Sequence, residues 1–172
     1  AWIVKAQVHA GGRGKAGGIV KSNNPDELNV ALTKMLGARL VTKQTGKAGL
    51  PINTALLEEI IEIKREIYLA LLVDRDAKQV AVIASAEGGV DIEKVAQQAP
   101  NKIIKNFIHP ATGLQLNQVR TIAYALGLEK NQHKQLQELL YNLYNLFLSN
   151  DCSLIEINPL IVNTNKNLVA LD

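Results

Sequence analysis

The sequence predicts an α+β fold, and three observations carry that expectation. Strand-like runs at 66–73 and 79–84 meet across a short turn at 74–78, which reads as a hairpin. A second pair, 160–162 and 168–171, meets across the polar turn 163–167 in the same way. Helical patterns come one after another near 117–126 and 131–149 instead of alternating with strands, which argues against a doubly wound parallel sheet.

Each element has a local reason. Residues 2–9 interleave apolar and polar side chains as a strand does, and residues 10–18 hold five of the twelve glycines before Ile19-Val20-Lys21 resumes as a strand. Asn24 is placed to cap a helix, Pro25 fits its first position, and Glu27 sits where a capping box wants an acid. Leu28, Ala31, Leu32, Met35 and Leu36 follow at helical spacing, and Gly37 ends that helix. A short strand is expected at 39–44, a loop at 45–52, and a further strand at 55–61. After the first hairpin come a small-residue loop at 85–89, a short helix at 91–98 and a strand at 102–108. Asn117 is the expected cap of the next helix, and Leu136, Leu139, Leu140, Leu143 and Phe147 form the apolar stripe of the last one. Residues 153–157 read as a strand, broken at Asn158-Pro159.

Composition narrows the function classes. The 172 residues are 47% hydrophobic and 20% charged, the balance of a globular chain long enough to bury its own core. A single cysteine, Cys152, makes no internal disulfide, and no apolar run is long enough for a membrane-spanning helix. A net charge of +3 with two Phe and one Trp does not suit a nucleic-acid binder built on stacked aromatics. The sequence opens in the middle of a strand, without Met, and stops in another, so a piece of a longer protein is expected.

Three groups of residues can carry chemistry. The glycine loop offers backbone N–H groups to an anion, with Arg13 and Lys15 adding positive charge. No Gly-Lys-Ser/Thr closes it and no helix follows it directly, so it fits a loop folding over phosphates from a β-hairpin; a solvated surface loop is the alternative. Lys5 either points to solvent or meets the same phosphates. Glu58, Glu59, Glu62 and Glu66 form an acidic group that reads as a solvated strand end or as acceptors for ribose hydroxyls or a base amino group. Glu156 and Asn158, two apart on a strand, share a face that Asp172 can join, and such oxygen donors suit Mg²⁺ beside phosphates; a wet sheet face is the plainer alternative. His9, His109 and His133 show no metal-ligand spacing.

Residues 4–18, together with Arg39-Leu40-Val41-Thr42, Tyr68-Leu69, Val73-Asp74-Arg75, the run 86–93 and Leu154-Ile155-Glu156-Ile157-Asn158-Pro159-Leu160, closely resemble the nucleotide-binding segment of succinate–CoA ligase β subunits, in order and from end to end. The resemblance implies an ATP-grasp fold, in which a nucleotide lies between two α+β lobes. Residues 1–172 would be most of that domain, without its first strands and helix and without the C-terminal CoA-ligase-type domain.

The resemblance also assigns roles. Lys5, Gly12, Arg13 and Gly14 match phosphate-contacting positions, and Glu58 matches the carboxylate that meets base and ribose. Ile61 falls at a position of the nucleotide pocket where only its backbone can serve, and Glu66 matches a further nucleotide-contacting acid. Asn158 and Asp172 match two Mg²⁺ ligands, and Glu156 matches an acid facing the partner subunit's phosphohistidine. The implied reaction uses ATP or GTP, Mg²⁺, succinate and CoA, needs an α subunit, and runs in the bacterial cytoplasm or the mitochondrial matrix, with no nucleic acid and no membrane. Malate–CoA ligase and ATP-citrate lyase share such a domain and are the nearest alternatives. An RNA-phosphate-binding module is the distant one.

Overall fold

The computed structural model describes residues 1–172. The chain divides into two compact units, Ala1–Ile61 and Glu62–Asp172. Helices and mixed strands in this order make the α+β class expected from the sequence.

In the first unit β1 (Trp2–Gln7) is central, antiparallel both to β2 (Ile19–Ser22) and to β5 (Thr54–Glu59). The glycine loop therefore does connect the two strands of a hairpin. Helix α1 (Pro25–Met35) covers one face of this sheet. Its Ala31 and Met35 pack with Val4, Ala6, Leu40 and Ile52 as a small core. The helix starts where the sequence predicts, with the Asn24 side chain accepting the Glu27 N–H at 2.8 Å. The Glu27 carboxylate, however, takes the N–H of Asn23 at 2.8 Å instead of that of Asn24, so the expected capping box closes one residue early.

Two expectations fail here. The strand at 39–44 shrinks to β3 (Arg39–Leu40), and the loop at 45–52 contains β4 (Leu50–Pro51), which pairs with it. The cause is local. Thr45 Oγ1 accepts the Thr42 N–H at 2.8 Å, and Thr42 Oγ1 accepts the N–H groups of Gln44 and Thr45, which bends the backbone into a turn before a longer strand can form.

The second unit is a five-stranded antiparallel sheet. It comprises β6 (Ile63–Asp74), β7 (Gln79–Ser85), β8 (Ile104–Ile108), β9 (Leu154–Asn163) and β10 (Leu168–Ala170), in the spatial order β10-β9-β6-β7-β8. Between β7 and β8 lie α2 (Ile92–Gln98) and one 3₁₀ turn, Pro100–Lys102. Helices α3 (Leu116–Ala125) and α4 (Lys130–Ser149) pack on one sheet face. Period-2 alternation puts Ile67, Leu69 and Leu71 of β6 on that face with Val82, Ala84, Ile157 and Leu160, against Val119, Ile122, Leu136, Leu140 and Phe147 of the helices. The stripe of α4 turns slightly from its expected line: Tyr144 is buried, while Leu139 and Leu143 are only partly covered.

Two further corrections concern this unit. Gln115, not Asn117, is the N-cap of α3, because the Gln118 side chain reaches back to its N–H at 2.9 Å. Nor does Asn158-Pro159 break the strand. β9 runs through both residues, which together face the single residue Tyr68 between the pairs Ile67–Leu160 and Leu69–Ile157. A bulge at that point takes the proline out of the regular ladder, where its missing N–H would interrupt pairing.

Candidate functional site

The glycine loop is shaped by its own hydrogen bonds. Gly18 N–H donates to Arg13 O at 2.8 Å, and Ala6 N–H to Gly18 O at 2.7 Å, pinning the loop to the end of β1. Gly12 sits at φ +75°, a conformation costly for any residue with a Cβ. The N–H groups of Gly12, Gly14 and Lys15 are exposed and donate no hydrogen bond within the chain, so they are available to an anion. Arg13 Nη1 donates to Ala6 O at 3.2 Å, which holds the guanidinium close to the loop's base. On the outer side, the Gly11 N–H donates to Gln44 Oε1 at 2.7 Å, so the turn between β3 and β4 braces the loop. Gln44 was not among the expected site residues; the sequence placed it at the end of the short strand expected at 39–44.

Lys5 does not point to solvent. It is 6% exposed, and its Nζ lies 2.7 Å from Glu58 Oε2. The register explains the meeting. Lys5 pairs with Leu56 and Ile3 with Glu58, so Lys5 and Glu58 are diagonal neighbours on one face of the β1–β5 pair. Their side chains are 8% and 26% exposed. An ion pair held that far from water gains little over a well-packed apolar pair, because desolvation offsets the attraction.

The four glutamates are divided between the two units. Glu58 and Glu59 alternate to opposite faces of β5, while Glu62 and Glu66 belong to the second unit and both are exposed. Ile61 follows β5 and is half-buried. The Glu66 carboxylate lies against Gly89, where a Cβ would come 2.3 Å from Glu66 Oε2. Gly88 is closer still to the strand: its Cβ would stand 2.3 Å from the Ile67 backbone nitrogen. These two glycines let the loop after β7 lie flat on β6, a role that the sequence showed only as a small-residue loop.

Asn158 holds that loop in place. Its Oδ1 accepts the Gly89 N–H at 2.9 Å, and its Nδ2 donates to Val90 O at 3.1 Å. The Asn158 N–H in turn donates to Asp172 O at 3.0 Å, so the chain past β10 comes alongside Asn158, as the sequence suggested. Nowhere do three His, Cys, Asp or Glu side chains gather as a metal-binding group. The donors at Asn158 and Asp172 are instead one amide oxygen with a lone pair to spare and a neighbouring carboxylate. Hard oxygen donors in that small number fit Mg²⁺, which takes few protein ligands and completes its shell from water and phosphate.

On the same unit Tyr68 is 5% exposed and Glu156 is exposed. Burial, then the charge of Glu156 and the hydrogen bond that its carboxylate accepts, then the charge of Glu93, push the Tyr68 phenol well above its ordinary range. Tyr68 is therefore a neutral donor at every physiological pH. The first unit thus joins Lys5 to Glu58 and ties Arg13, between Gly12 and Gly14, to Ala6 at the end of β1, and the second brings Glu66 and Asn158 to Gly89, with Asp172 hydrogen-bonded to Asn158 and Glu156 on the face of Tyr68.

Comparison with known proteins places this arrangement. The chain is 55% identical over its whole length to the succinate–CoA ligase [ADP-forming] subunit β of Thioalkalivibrio sulfidiphilus, and spans 45% of that protein. It is 52% identical over its whole length to the subunit of the same name from Halorhodospira halophila, and 50% identical over 99% of its length to that of Rickettsia rickettsii, spanning 44% of each. The chain thus covers somewhat under half the length of these relatives. Among solved structures, the ATP citrate lyase of Methanothrix soehngenii, in complex with citrate and coenzyme A, superposes with a TM-score of 0.74 at 19% identity, over 99% of this chain and 37% of that one. The dinucleotide-forming acetyl-coenzyme A synthetase 1 of Ca. Korarchaeum cryptofilum superposes with a TM-score of 0.65 at 17% identity, over 100% of this chain and 73% of that one. At those identities the two structures speak for the fold alone. The ATP-grasp domain model matches residues 1–162, and with the glycine hairpin and the α+β units already described, the chain belongs to the ATP-grasp domain family.

Proposed function

We propose that this chain is the nucleotide- and Mg²⁺-binding part of a succinate–CoA ligase β subunit, forming succinyl-CoA from succinate, CoA and ATP with an α subunit that carries the phosphorylated histidine. The observation that carries the reading is the end-to-end match to β subunits named as ADP-forming, on a chain whose glycine hairpin is open to phosphate. Phosphoryl transfer asks a protein mainly for positioning and charge neutralisation. Here the N–H groups of Gly12, Gly14 and Lys15 would receive phosphate oxygens, Lys5 and Arg13 would offset their charge, and Glu58 and Glu66 would accept hydrogen bonds from the nucleoside. Asn158 and Asp172 would hold Mg²⁺, which when bound would neutralise phosphate charge. Glu156 would face the partner's phosphohistidine. The β subunits it resembles come from bacteria, which supports a cytoplasmic site of action.

The test uses the full-length β subunit with its α partner. Succinate- and CoA-dependent phosphate release from ATP is expected, exceeding that with malate, citrate or GTP. Arg13→Ala is expected to raise the KM for ATP roughly tenfold, the effect of about one charge-assisted hydrogen bond, with an unchanged melting curve. Turnover with citrate but not succinate would overturn the substrate assignment, and an unchanged KM would remove Arg13 from the phosphate site.

A further inference from the structure

Tyr68 is a buried titratable side chain for which the proposed chemistry has no use, and its surroundings give it one. β6 and β9 pair so that Ala70 stands opposite Glu156, and Tyr68 is two residues along on the same face. Ala70 ends at its Cβ, so nothing on β6 blocks the Glu156 side chain from leaning along the strand toward Tyr68. Directly across from Tyr68 is the bulge at Asn158 and Pro159, the kind of irregularity that re-aims neighbouring side chains. On its other side Tyr68 pairs with Ser85, which is fully buried, and the Ser85 hydroxyl accepts the Glu87 N–H at 3.2 Å. The ring is thus fixed in the sheet on the face it shares with Glu156, its diagonal neighbour across β6 and β9, whose carboxylate bears on the phenol. Glu156 itself is exposed, and an exposed glutamate has many rotamers to choose from.

We propose that Tyr68 is a positioning residue for Glu156, its buried phenol holding an exposed carboxylate in one orientation for the partner subunit's phosphohistidine. The proposal rests on the succinate–CoA ligase reading and adds to it a residue two strand positions away from the acid's pairing partner. A carboxylate anchored by one donor from a rigid ring keeps its other lone pairs for the incoming group, and no rotamer search is left to the encounter.

The experiment measures phosphohistidine formation on the α subunit from ATP in single turnovers, using the full two-subunit enzyme. Tyr68→Phe removes only the hydroxyl and keeps the ring. It is expected to slow phosphorylation roughly tenfold while the KM for ATP stays within twofold. Glu156→Ala is expected to slow it more, and adding Tyr68→Phe to that variant is expected to change nothing further, because the phenol then has no carboxylate to hold. Melting curves accompany every variant, and Glu156→Ala, altering an exposed side chain, keeps the cycle interpretable if Tyr68→Phe proves unstable. A Tyr68→Phe enzyme with the parental rate, or one whose defect adds fully to that of Glu156→Ala, would overturn the proposal. Absence of any phosphohistidine in the parental enzyme would instead overturn the functional reading itself, and this proposal with it.

Discussion

The two units treat charge in opposite ways. In Ala1–Ile61 a lysine is buried in a unit whose apolar core is short, built on Val4, Ala6, Ala31, Met35, Leu40 and Ile52. In Glu62–Asp172 a far larger core stands behind the sheet, yet Glu66 and Glu156 remain exposed, and the buried partner at Glu156 is a neutral phenol. The unit with less apolar burial to spare is the one that carries the desolvated ion pair. Stability does not explain that allocation, since an apolar pair would hold β1 and β5 together at least as well. The proposed phosphate site beside the glycine loop would use such a fixed positive charge.

Glycine gives the sharpest way to test that difference, because it works for unlike reasons in the two units. Gly88→Ala drives a Cβ to within 2.3 Å of the Ile67 nitrogen, against backbone that cannot turn aside. It is expected to destabilise the second unit by about 3 kcal/mol, measured by denaturant unfolding. Gly12→Ala meets nothing within 4 Å and suffers only from its φ of +75°, so the same measurement is expected to give about 1 kcal/mol. Similar losses at both sites would erase the distinction between close packing and conformational freedom.

The ion pair comes next. Lys5→Met leaves Glu58 a quarter exposed without its partner and is expected to cost about 2 kcal/mol. Combining it with Glu58→Leu is expected to restore stability to within about 1 kcal/mol of the parent while nucleotide binding stays lost. A double variant that binds nucleotide normally in a titration would show that the charge is structural after all.

Asn158→Ala tests the second unit's use of neutral polar groups. Removing the amide frees the Gly89 N–H and the Val90 carbonyl, at a cost of about 1 kcal/mol because both lie near solvent. Hydrogen exchange at Gly89 is expected to quicken while the amides of β6 keep their protection.

The smallest effect belongs to the first unit's helix cap. The Asn23 backbone N–H, with the Asn23 and Asn24 side chains and the Lys21 charge helping, holds the Glu27 carboxyl below its usual range. A carboxylate more acidic when folded than when unfolded stabilises the native state fully above its unfolded value and ceases to do so as pH falls through the folded one. Glu27→Gln is therefore expected to lower the melting temperature slightly at neutral pH and to leave it unaltered in strong acid. An equal difference at both pH values would assign the effect to packing.

Much of this was legible in the residues. The hairpin around 74–78, the capped helix at Asn24 and the long helix ending at Ser149 each follow from signals a few residues wide. The misses share a cause as well. A threonine network shortened the strand at 39–44, and a bulge absorbed Pro159, and both depend on how side chains and strands close on one another. Residue types alone made Lys5 a candidate with two opposite fates, and made Glu58 and Glu66 members of one acidic group.

The sequence by itself determined most of the element types, the α+β class and the glycine hairpin, because periodicity, caps and backbone freedom are properties of neighbouring residues. Only the tertiary structure decided which of those residues meet. The β1–β5 register puts Lys5 on Glu58, the flat approach of Gly88 and Gly89 sets the loop against Glu66, the β6–β9 register puts Tyr68 on the same face as Glu156, and a backbone hydrogen bond ties Asn158 to Asp172. Register between distant strands is chosen by the burial of whole faces, so no local pattern encodes it.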